Sequence, residues 1–166
     1  MLFRSAAATA EADAALLAQQ ALQAEQAKQA EEEHARLLAS GAIHEPYAAT
    51  AEERKLLAAL IYCEAGNQSY TGKVAVGNVV INRMRSKKYP SSMHSVIYQR
   101  GQFSPAGSGW LGRVLRSGNI PESCYQAADE ALSGATPVGN AIFFMRKELH
   151  SSGIIIGSHC FWGSMQ

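Results

Sequence analysis

Residues 6–40 contain neither glycine nor proline. No other stretch of this chain restricts its fold so strongly. Alanine, glutamine and glutamate dominate the stretch, and its large apolar residues are Leu16, Leu17, Leu22, Leu37 and Leu38. These residue types favour helix, and nothing in the run interrupts it. The leucines do not repeat at a and d spacing, which argues against a coiled coil. The expectation is a polar, solvated helix ending before Gly41 and acting as a spacer or stalk. "SGAIHEPYAAT" reads as the linker behind it. The expected division is therefore residues 1–45, helical stalk and linker, and residues 46–166, a compact domain.

Charge divides along the same line. Residues 1–45 hold seven acids and three bases, a net of −4, whereas residues 46–166 hold twelve bases and seven acids, a net of +5. A mildly basic domain suits an anionic partner such as a wall polymer. No aromatic-basic ribbon or known nucleic-acid motif is present, so nucleic acid is not the expected partner. No apolar run approaches the ~18 residues of a membrane span. The opening "MLFRSAAATAEADA" is not a complete export signal. "AAATA" reads either as the remnant of a cleavage region or as the start of a cytoplasmic helix. Cys63, Cys124 and Cys160 lack metal-ligand spacing. They are expected to be small buried hydrophobes, with room for one disulfide. No metal or cofactor is expected, and the chain is expected to be a monomer.

Thr50 and Glu53 form the Thr-x-x-Glu signature of a capping box. Leu57, Leu60, Ile61 and Glu64 follow at i, i+3, i+4 and i+7, one face of the helix it opens. Gly66 reads as the stop. A carboxylate thus falls on the apolar face, in the last turn. Burial disfavours its charged form, and the partial negative charge at a helix C-terminus pushes the same way. Both effects favour an acid still protonated near neutral pH, as a general acid must be. The alternative is a Glu turned to solvent or bonded to a backbone amide.

The next stretch, "TGKVAVGNVVINRMRS", carries a possible cap at Thr71, and its β-branched run fits either strand or buried helix. Short helices are expected in "SSMHSVIYQ" and "WLGRVLRSG", and a clear one in "PESCYQAADEALSG". "NAIFFMRK" and "GIIIGSHCFWG" read as two strands. The fold class is α+β, mainly helical with a small C-terminal antiparallel sheet, preceded by an N-terminal helix.

"AALIYCEAGNQSYTGKVAVGNVVINRMRS", "YPSSMHSVIYQRGQFSP", "SCYQAADEALSG", "PVGNAIFF" and "IGSHCFW" resemble, in this order, the SleB/CwlJ-type cell wall hydrolases, the spore cortex-lytic family. The resemblance covers roughly residues 55–162. It implies a lysozyme-like catalytic domain that cleaves peptidoglycan glycan strands, outside the cell, in the wall or in spore cortex. It also implies that "VAVGNVVINR" is helix and that the family's catalytic Glu falls on Glu64. Many members of the family have a second Glu four residues on; here that position is Gln68.

Glycoside hydrolysis ordinarily uses two carboxylates. Glu52 and Glu53 open the helix that Glu64 closes, about 16 Å away. Glu122, Asp129 and Glu130 read as a solvated helix face, and Glu148 as a loop residue. A lytic transglycosylase needs one acid, because the muramyl C6 hydroxyl supplies the nucleophile at high effective molarity. The expected reaction is therefore transglycosylation at MurNAc–GlcNAc bonds, with a hydrolytic muramidase or glucosaminidase as the alternative. Candidate substrate-binding residues are Gln102, Phe103, Ser104, Asn78, Asn82, Tyr70, Phe144 and His159, and Tyr62 is a further cleft candidate. Asn78 and Asn82, four apart on one helix face, read equally as a buried bonded pair. A cysteine peptidase or amidase using Cys160 or Cys63 with His159 is a rival reading. So is a non-catalytic wall-binding module.

Overall fold

The computed structural model describes residues 3–164. The chain divides into two compact units between Ser40 and Gly41. The first contains one helix, α1, Phe3–Ala39. Leu16, Leu17 and Leu22 are exposed along it. Local pairs such as Arg36–Glu33 and Lys28–Glu32 lie on its surface, each worth only a few tenths of a kcal/mol. Intrinsic propensity is thus the main local support for this helix.

The second unit begins at Gly41. The segment after it is bound to the unit's body: Ile43 bridges Ala135, and the backbone amides of His44 and Tyr47 donate to the carbonyls of Gly134 and Leu132. Helix α2, Ala51–Ala65, opens on Thr50 with both bonds of the capping box in place. Helix α3, Tyr70–Arg85, is capped by Ser69, whose hydroxyl accepts from the Gly72 amide. The cap is therefore two residues earlier than Thr71, because Ser69 is the side chain that can reach back to the free amides of the first turn. Short helices α4 (Met93–Ile97), α5 (Ser104–Gly107) and α6 (Trp110–Ser117) follow. Helix α7, Glu122–Leu132, completes the helical part.

Helices α2, α3 and α7 pack on one another. Leu57, Leu60 and Ile61 are fully buried, each contributing about 1.5–3 kcal/mol. Helix α3 is buried on all sides from Val74 to Arg83, which explains its lack of amphipathic period. Gly77 lets α7 approach closely: a Cβ there would lie 2.7 Å from that of Ala131.

Three strands make the sheet: β1 (Phe143–Arg146), β2 (Ile154–Ile156) and β3 (His159–Trp162). The order is β1-β3-β2, all antiparallel. The expected second strand is thus two, because Gly157 and Ser158 turn the chain between Ile156 and His159. Gly157 has φ +59, which suits the first position of a two-residue hairpin turn. Among the described residues, no helix is long and apolar enough to cross a membrane.

Candidate active site

Helix α2 ends in the turn Gly66–Ser69. Gly66 does not end the helix through a left-handed conformation, since its φ is −57. Its role is steric: a Cβ there would lie 2.6 Å from the Tyr62 carbonyl oxygen. This turn forms one wall of a cleft of about 920 Å³. The other walls are the 101–104 loop, the start of α6, strand β1 and the β2–β3 turn.

Glu64 lines this cleft and, among the described residues, is its only acid. Burial pushes its carboxyl up to about 7. The other acids of the unit lie elsewhere, and three of them have side-chain partners. Glu53 serves the α2 cap and accepts from the Tyr47 hydroxyl. Asp129 takes a two-bond contact from Arg54. Glu130 accepts from the Tyr70 hydroxyl at 2.6 Å. The helix face expected to be merely solvated therefore carries two specific contacts, to Arg54 and to Tyr70.

Gln102, Ser104, Phe144 and His159 line the cleft with Glu64, as does Tyr62. Four other candidates do not. Phe103 is buried beneath Phe144, ring centroids 6.2 Å apart. Tyr70 faces a separate groove beside Glu130. Asn78 and Asn82 are buried and bonded internally: Asn78 donates to Asn82 and accepts from the Val138 amide, and Asn82 donates to the carbonyls of Gly139 and Ala141. They hold the 138–141 segment onto α3, and each of their side-chain polar atoms has a partner within the protein.

Sequence reasoning missed three contributors. Trp110 is 40% exposed at the cleft, on a Gly- and Ser-rich approach that marks an exposed aromatic. Arg83 is buried, donating to the Ile142 carbonyl and to Gln102 Oε1, with its guanidinium over the Phe103 ring. It therefore fixes the Gln102 side chain at the cleft. Arg146 lines the cleft from the end of β1.

The cysteines do not form a nucleophilic site. All three are free thiols. Burial, with Glu64 nearby, pushes the Cys63 thiol up to about 11, where it is a poor nucleophile. Cys160 is fully buried, and as His159's neighbour on β3 it points to the opposite sheet face.

The model of the Cell Wall Hydrolase family matches residues 67–162. The chain belongs to this cell wall hydrolase family. Glu64 stands three residues before the matched span, so its role rests on the cleft. Similar proteins include the spore cortex-lytic enzyme of Oceanobacillus iheyensis, 28% identical over 130 residues, covering 72% of this chain and 45% of the relative. That of Halalkalibacterium halodurans is 30% identical over 115 residues, covering 64% and 33%. The chain thus spans less than half the length of these curated relatives. The cell wall hydrolase fold here is that of two solved structures. One is the catalytic domain of the germination-specific lytic transglycosylase SleB from Bacillus anthracis, with TM-score 0.60 and 26% identity, covering 70% of this chain and 98% of that one. The other is the Bacillus cereus SleB catalytic domain, with TM-score 0.61 and 25% identity, covering 70% and 94%.

Proposed function

We propose that this chain cleaves peptidoglycan glycan strands as a lytic transglycosylase, in the cell wall or spore cortex, with Glu64 as its one catalytic carboxyl. The observation that carries the reading is a cleft of about 920 Å³ with, among the described residues, a single acid, held near neutral pKa by burial. The protonated Glu64 donates to the glycosidic oxygen as the bond from the muramyl C1 breaks. The carboxylate so formed takes the proton of the muramyl C6 hydroxyl, whose oxygen closes on C1. The product is a 1,6-anhydro ring; no water enters, and Glu64 ends as it began. A group with a pKa near 7 serves both steps at neutral pH. Tyr62, Trp110 and Phe144 supply apolar ring surface for sugar faces, and Gln102 and Ser104 supply polar contacts.

The test is lysis of purified peptidoglycan by Glu64→Gln. The amide preserves size but cannot shuttle a proton, so activity is expected to fall at least ~100-fold with the fold intact. Wild-type lysis by a folded variant would remove Glu64 from the mechanism.

A further inference from the structure

The Glu64 chemistry leaves two cleft groups without a role. Arg146 and His159 are direct cross-strand partners on β1 and β3. Both line the cleft. Such partners hold their Cβ atoms about 5 Å apart on one face of a sheet. Arg146 has no carboxylate partner among the described residues and is the only arginine or lysine lining the cleft there. His159 is 9% exposed, and its Nδ1 is buried without a hydrogen-bond partner. Among the described residues its Nε2 is not bonded and is not buried in that way, which leaves it as the ring nitrogen open to a ligand. Two basic side chains set side by side repel one another, and burial and Arg146 both disfavour the imidazolium form of His159. An acceptor anion at this face would pair the guanidinium and take the Nε2–H of the imidazole tautomer whose Nδ1 is unprotonated.

We propose that Arg146 and His159 form an anion subsite that takes a carboxylate carried by the glycan. This rests on the glycan-cleavage reading and narrows it: the preferred strand has a charged carboxylate on or attached to its muramyl residue. Two sources share that chemistry, the lactyl ether of muramic acid and the free carboxylates of an attached peptide. The guanidinium offers parallel N–H donors to both carboxylate oxygens, and the imidazole Nε2 adds a third contact.

The test uses the full chain and three purified strands. One is stripped of peptide and carries free lactyl carboxylates. The second is the same strand with those carboxylates converted to methylamides. The third keeps its peptides. Wild type is expected to show a KM for the free-carboxylate strand about tenfold below that for the amidated one, with a similar kcat, as loss of a charge-assisted contact implies. Arg146→Gln is expected to lose this preference, and Arg146→Lys to retain part of it; melting curves of both check the fold. A low, Arg146-dependent KM on the peptide-bearing strand would assign the peptide carboxylate as a source. Equal wild-type KM on all three strands, or a preference that persists in Arg146→Gln, overturns the subsite and leaves the glycan reading standing. Cleavage of none of the three overturns both.

Discussion

Gln68 accepts a hydrogen bond of 3.1 Å from the backbone amide of Ser158 and so ties the α2–α3 turn to the β2–β3 turn across the cleft. Its other amide atom, Nε2, donates to Asn67 Oδ1 at 3.0 Å. The pair needs an acceptor and a donor on one side chain, which glutamine has and glutamate lacks. Gln68→Ala is expected to lower kcat/KM about tenfold and to cost about 1–2 kcal/mol in denaturant unfolding. Unchanged kinetics would show that the cleft does not depend on this tie.

Gly157→Ala attacks the same contact from the other side. A Cβ there would lie 2.5 Å from Gln68 Oε1, at a φ of +59 that L residues rarely adopt. Destabilisation above that of Gln68→Ala is expected. In the Gln68→Ala background the clash is gone, so the double variant should lose less than the sum of the two. Simple additivity, read from paired unfolding curves, would contradict the contact.

Glu64 also predicts a pH-dependent stability. Its folded pKa of about 7 lies above the ordinary carboxylate value of 4.5. Its contribution is therefore most favourable below about pH 4.5 and is lost as pH rises through about 7. Glu64→Gln removes that loss. The variant should match wild type near pH 4.5 and exceed it above pH 7, by at most about 3 kcal/mol. Unfolding curves at the two pH values measure this, and a difference that does not grow with pH would count against a buried acid.

Some of this was legible in the chain. The Thr50–Glu53 box and the spacing from Leu57 to Glu64 put the acid at the end of α2, because both are local signals. Helix α3 was ambiguous because burial on every side erases its period. The split of the last strand was hidden in "IIIGSHCF", although Gly followed by a polar residue is a recognised hairpin signal. Helix spacing put Asn78 and Asn82 on one face and left both cleft and buried-pair readings open; the bonds to Val138, Gly139 and Ala141 that decide it lie about 60 positions away. The Arg83–Gln102 bond was equally out of reach of any local pattern.

Trp110 gives a prediction that separates binding from stability. It is exposed and lines the cleft. Trp110→Ala should raise KM roughly tenfold and leave the unfolding midpoint nearly unchanged, as expected for loss of a stacking surface worth about 1 kcal/mol or somewhat more. A kinetic profile like that of wild type would remove it from the substrate path.

The N-terminal edge of the second unit gives another. Ile43, His44 and Glu45 are joined to the unit by the Ala135 bridge, the Gly134 carbonyl and the Arg85 side chain. A chain beginning at Gly41 should therefore be more stable than one beginning at Pro46, by about 2–3 kcal/mol. Equal stability would show that these contacts are dispensable.

The mass of the cleaved glycan ends tests the central claim most directly. With Glu64 the only acid lining the cleft among the described residues, the new ends should be 1,6-anhydromuramyl, one water lighter than hydrolysed ends and resistant to borohydride reduction. New ends that are all reducible would mean that water is the nucleophile, and would contradict the single-carboxyl mechanism.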